Sequence, residues 1–177
     1  MKFTHFFLLL VLAVLLSSKG LAEPSDTRLP DWEVRDGHNE DRMLHELLPT
    51  SGTLLGVVIS ETAENGEAQL HAILRTQSEL KEAGVEAADI LHLHVVAGAP
   101  RLVHGLIRRG IRGSYEDDFE RARILMVFPG DHDQWLAETG LEVTESALWL
   151  RVDAEGYIDW SEREVGGETV SRLLEKL

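Results

Sequence analysis

The sequence predicts an α/β domain built on a mixed central sheet, and three stretches carry that prediction. Thr53 to Ser60, TLLGVVIS, is a continuous apolar run rich in β-branched residues, as suits a strand covered on both faces. It is followed by an amphipathic helical pattern and by a second apolar run, Asp89 to Val96. Strand, helix, strand at that spacing predicts a βαβ unit with parallel pairing. Ala147 to Trp160, ALWLRVDAEGYIDW, predicts a hairpin: Leu148, Leu150 and Val152 alternate with Trp149 and Arg151, and Asp153 to Gly156 supply the turn. A short terminal helix follows, with Val170, Leu173, Leu174 and Leu177 on one face.

The first residues are read separately. Lys2 precedes an unbroken apolar run from Phe6 to Leu16, and Gly20-Leu21-Ala22 offers the small residues of a cleavage site. The run is shorter than the about 20 residues that a membrane anchor needs. The expectation is a signal peptide over 1–22, cleaved after Ala22, and one domain over 23–177 delivered to the periplasm or secreted, with no membrane anchor left. No cysteine occurs anywhere. Disulfides, thiol catalysis and a cysteine-linked lipid anchor are therefore excluded.

Taking away the leader leaves 155 residues, enough for one domain with its own core. With Lys2 and Lys19 gone, 15 basic residues face 31 acidic ones, a formal charge of −16. Nucleic acid and anionic lipid are poor general partners for such a chain. Lys81 and Lys176 are its remaining lysines, and an acidic, lysine-poor composition fits a salty environment.

In order along the chain, Glu23 to Arg28 reads as a loose lead. Leu29 to Val34 suggests a short edge strand with Asp36-Gly37 as its turn. Asp41 to Leu48 carries Met43, Leu44, Leu47 and Leu48 at helical spacing and stops at Pro49. The long helix is expected from about Gly66 to Ala83, with Leu70, Ile73, Leu74 and Leu80 inward and Gly84 as its stop. Pro100 opens another helix, with Leu102, Val103, Leu106 and Ile107 as its inward side and Gly113 at its end. Arg123 to Phe128 is a third strand, and Asp131 to Thr139 one or two helical turns. No internal repeat or second-domain linker is apparent.

A βαβ unit followed by a hairpin and a terminal helix resembles the thioredoxin layout, a three-layer α/β/α arrangement around a mixed sheet. The strand at Arg123 to Phe128 is similar to one that peroxiredoxin-like members carry. The chain further resembles the periplasmic YtfJ-type proteins, a thioredoxin-like family of unassigned function. Leu29-Pro30 with Asp36-Gly37, Leu47-Leu48-Pro49, and Ser146-Ala147 leading to Asp153 and Gly156 carry that likeness across nearly the whole mature chain. Two features depart from the thioredoxin pattern. The segment that would hold two cysteines is Ser60 to Gly66, SETAENG, and Glu145-Ser146 stands where a proline would precede the hairpin. Thiol oxidoreductase or peroxidase activity is not expected.

Four groups of residues are candidates for chemistry. His92 and His94 lie two apart in a strand, so both point to one face and could begin a Zn²⁺ or Cu²⁺ site. His71, Asp131 and His132 are guesses for further ligands, and two hydrogen-bonded core histidines are the commoner explanation. Gly130 to Asp133 looks like a fragment of a cation loop, although a helix N-cap explains Asp131 equally well. Arg101, His104, Arg108 and Arg112 fall on one helical face, a basic stripe suited to an acidic protein partner or to plain solvation beside Glu116, Asp117, Asp118 and Glu120. Ser60, Thr62 and Asn65 occupy the thioredoxin active-site position, where a serine nucleophile would need a positioned base. Trp32, Trp135, Trp149 and Trp160 read as core and rim aromatics. The function expected from all this is a non-redox interaction module. The alternatives are a metal-binding protein using His92 and His94, and an enzyme with non-thiol chemistry at Ser60 to Asn65.

Overall fold

The computed structural model describes residues 27–49, 52–86, 90–115, 121–130, 136–137, 140–163 and 167–176. The proposed leader, Asp131, His132, Trp135 and the acidic residues at 116–120 lie outside that set. Seven strands form one mixed sheet: β1 (Glu33–Asp36), β2 (Asp41–Met43), β3 (Thr53–Ser60), β4 (Ile90–Val96), β5 (Ile124–Val127), β6 (Leu148–Val152) and β7 (Ile158–Arg163), in the spatial order β2-β1-β5-β4-β3-β6-β7. The α-helices whose bounds lie within the described residues are α1 (Ala63–Glu82), α2 (His104–Gly113) and α3 (Gly167–Leu174).

The parallel centre forms as the apolar runs dictate. β3 pairs β4 in parallel with Gly56 opposite His92 and Val58 opposite His94, and β4 pairs β5 in parallel. β6 and β7 add the antiparallel hairpin beside β3. Its turn needs Gly156 at φ +90°, a conformation costly for residues with a Cβ. Alternation splits the core in two. Leu55, Val57, Leu93, Val95 and Leu150 face one layer; Leu54, Val58, Ile90, Trp149 and Ile124 face the other, with Ile73 and Leu80 of α1 and Leu173 of α3. Burying each such side chain contributes about 1.5–3 kcal/mol before conformational entropy is set against it. The layer opposite the helices is built from extended and short helical pieces that carry Leu29, Trp32, Leu44, Leu48, Leu141 and Val143.

Local expectations are corrected in three places: Asp41 to Leu48, the N-terminal segment and α2. Asp41 to Leu48 is not one helix but β2 followed by a 3₁₀ turn, Leu44–Leu47. The Asp36 carboxylate accepts the backbone N–H of His38 at 2.9 Å and of Glu40 at 2.8 Å, and Asn39 sits at φ +72°. Those side-chain bonds close a turn that a helix could not accommodate. The edge strand accordingly starts at Glu33 rather than Leu29. The lead is not loose at its end: Leu29 N–H bonds Gly156 O at 2.9 Å, and Ile158 N–H bonds Thr27 O at 3.0 Å.

The third correction concerns α2. Leu102 is 97% exposed and Leu106 69% exposed, so these two of the residues expected inward face outward. What turns inward is the flank with Ile107 and Ile111 and the flank with His104, Arg108 and Arg112, all half-buried. Phe128 supplies the reason. The His104 ring stacks on it at 4.1 Å, the Arg108 guanidinium lies 5.9 Å from its centroid, and His104 Nε2 contacts Ala99 O at 2.8 Å. These contacts hold the polar flank against the domain.

Candidate functional site

β3 and β4 end side by side at Ser60 and Val96, and a cavity of about 790 Å³ opens at that edge between α1 and α2. The carboxyl ends of parallel strands are the usual location of ligand sites in open α/β sheets. Val58, Leu70, Val96, Ile107 and Ile111 give it apolar walls; Ser60, Glu61, Thr62 and His94 give it polar ones.

The loop at the thioredoxin position is structural in its details. Thr62 is the N-cap of α1, its hydroxyl accepting the Asn65 N–H at 3.2 Å. That explains why the helix begins at Ala63, earlier than Gly66. Gly66 can only be small: a Cβ there would lie 2.9 Å from Ser60 Cβ. Asn65 Oδ1 accepts from Gln69 Nε2 at 2.6 Å, and Asn65 Nδ2 reaches Thr144 O at 3.3 Å. Among the described residues no base is hydrogen-bonded to the Ser60 hydroxyl. Sequence reasoning missed Gln69. Buried at 1% exposure, it accepts from Ile59 N–H at 2.9 Å, while its Nε2 lies 3.1 Å from Ile59 O and 2.7 Å from Thr144 O. It ties β3, α1 and the approach to the hairpin into one joint.

His92 and His94 share the helix-side face of β4, as the two-residue spacing predicts. Tyr115, 1% exposed, stands between them: its Oη is 2.8 Å from His92 Nδ1 and 2.9 Å from His94 Nε2. One phenol has one proton, so it donates to one ring and accepts from the other. His92 Nε2 is buried with no hydrogen-bond partner among the described residues. The cheaper tautomer leaves a bare lone pair there, with the His92 Nδ1–H donating to Tyr115 and Tyr115 donating to His94. Burial, then His94, Arg123 and Lys81, push His92 down to about 3, and burial pushes His94 down to about 4. Both rings are thus neutral at pH 7, the protonation state that metals bind. Tyr115 was not legible beforehand, because it lies 23 and 21 residues from its partners.

The other candidates are not brought to this cluster. His71 lines the cavity mouth on α1, exposed, with Glu67 Oε1 3.8 Å from its Nε2. Among the described residues no three His, Asp or Glu side chains converge as metal ligands. Arg101 is exposed on the 3₁₀ turn Arg101–Val103, while Arg108 and Arg112 are half-buried on α2. No helix of the described residues is long and apolar enough to cross a membrane.

No family model matches the chain, and no curated protein matches it. Solved structures do. BsSco, a member of the Sco family of cytochrome c oxidase assembly proteins, superposes with TM-score 0.55 at 11% identity, over 89% of this chain and 97% of that one. The thioredoxin domain of a thiol-disulfide oxidoreductase from Bacteroides vulgatus gives 0.54 at 14% identity, over 87% and 96%. Arabidopsis thaliana ScoI with copper bound gives 0.57 at 8% identity, over 82% and 94%. These resemblances correct the expectation of a non-redox interaction module: the solved structures with this fold are redox and copper-associated proteins. The absence of cysteine removes the thiol route. The architecture itself is plain, and the chain has a thioredoxin-like fold.

Proposed function

We propose that this chain is an exported metal-handling protein of thioredoxin-like fold, YtfJ-type in its layout, with His92, His94 and Tyr115 as its metal site. The observation that carries the reading is the convergence of two neutral imidazole nitrogens on one buried phenol oxygen, with His94 also forming part of the cavity wall. Once the His92 proton moves from Nδ1 to Nε2 and the Tyr115 proton leaves to solvent, the donor set supplies two nitrogens and one oxygen. It suits Zn²⁺ or Cu²⁺ and lacks the thiolates that Cu⁺ prefers. The resemblance to a copper-bound structure agrees with this reading without carrying it. The leader over 1–22 supports the exported location.

Calorimetry of the metal-free protein tests it. Zn²⁺ or Cu²⁺ is expected to bind at micromolar concentration or tighter, and His92→Ala with His94→Ala together is expected to abolish the heat of binding. Absence of binding by the folded wild type would end the metal reading.

A further inference from the structure

The cavity lies along one flank of α2, and a second recess, of about 470 Å³, lies along another. Arg108, Arg109, Arg112 and Arg121 line this second recess, together with Asn39 and the small residues Gly105 and Gly113. In a chain of net charge −14, four guanidinium groups around one hollow are an exception that needs a cause. Like charges held together are destabilising unless an anion sits among them. Among the described residues, Arg109 and Arg112 make no ion pair, and Arg112 Nε is buried with no hydrogen-bond partner. Two of the arginines are held in place by other contacts. Arg121 donates from Nη2 to Tyr115 O at 3.0 Å and from Nε to Arg112 O at 3.3 Å, and Arg108 lies over Phe128. Asn39, at φ +72°, adds a side-chain amide at the rim.

We infer that this recess is a binding site for a phosphoryl anion, independent of the metal reading. The guanidinium fork matches two oxygens of a phosphoryl group, a paired geometry that a spherical chloride ion does not offer. The recess is lined by four arginines, so a small phosphoryl group fits it better than an apolar ligand. The same chemistry has two sources, a free phosphate compound or the headgroup of an anionic lipid, and the exposed Leu102 and Leu106 beside the recess make the second worth testing.

The test uses the full chain in a phosphate-free buffer. Inorganic pyrophosphate should raise the melting temperature saturably and beyond the rise that sodium chloride gives at matched ionic strength. Arg109→Gln with Arg112→Gln should weaken pyrophosphate affinity at least tenfold, because two charge-assisted donors are lost. Arg109→Gln alone, at an exposed position, gives the same direction of change if the double variant does not fold. Vesicles of phosphatidylglycerol, with phosphatidylcholine as control, separate the sources. Capture by the anionic vesicles that pyrophosphate competes away assigns the site to lipid headgroups; pyrophosphate binding without capture assigns it to soluble phosphoryl compounds. Neither pyrophosphate stabilisation nor vesicle capture, or equal pyrophosphate affinity in wild type and folded variants, would overturn the inference.

Discussion

At the scale of single residues, the polar groups inside the domain decide what can be tested. Gln69 satisfies both backbone groups of Ile59 and the carbonyl of Thr144 from one buried amide. Gln69→Leu keeps the volume and strands those groups, so the expected cost is about 3 kcal/mol, read from urea unfolding. His92 and His94 give a pH signature. Their folded values of about 3 and about 4 lie below the ordinary 6.5. The unfolded chain therefore binds protons that the folded chain excludes. Stability from this source is full above pH 6.5 and falls as pH drops toward 4, by up to about 1.4 kcal/mol per pH unit per histidine. In chelator-treated protein, replacing both histidines by Gln should flatten the unfolding free energy across that window. An unchanged slope would show that other groups control acid lability.

At the scale of elements, the two central strands were legible and the orientation of one helix was not. β3 matches its predicted run residue for residue, and β4 to within one residue, because a strand buried on both faces has to be continuously apolar. α2 carries an apolar and a basic stripe, and which one turns inward depends on its neighbour. Phe128 takes His104 and Arg108, contacts that no periodicity encodes. β2 escaped notice for a similar reason: the Asp36 turn is a matter of two hydrogen bonds, while Met43, Leu44, Leu47 and Leu48 mimic a helix. The orientation of α2 is open to measurement. Leu106→Ser should change stability by less than about 0.5 kcal/mol, as at an ordinary surface site, whereas Ile111→Ser, packed against the helix-side core, should cost more than about 1 kcal/mol. The reverse order would restore the inward-facing Leu106.

At the scale of the whole molecule, charge and fold separate. The sheet and its two core faces are those of a thioredoxin-like domain, yet the cysteines that such a domain uses are absent. The paired histidines were legible from spacing alone. Their link through Tyr115 was not, since it joins β4 to the residue that follows the end of α2. The charge of −14 is a global property with its own consequence. Self-repulsion among carboxylates weakens as salt shortens the screening length to a few ångströms, so the melting temperature should rise between low salt and about 1 M sodium chloride. A falling melting temperature would mean that attractive pairs such as Arg151–Asp159 outweigh the repulsion.

The proposed metal site is tested most directly by diffraction from crystals of the zinc-loaded protein, collected on both sides of the zinc absorption edge. The expected result is an anomalous peak within coordination distance of His92 Nδ1, His94 Nε2 and Tyr115 Oη. A peak confined to surface side chains such as Glu67 and His71, with the Tyr115 hydrogen bonds intact, would contradict it.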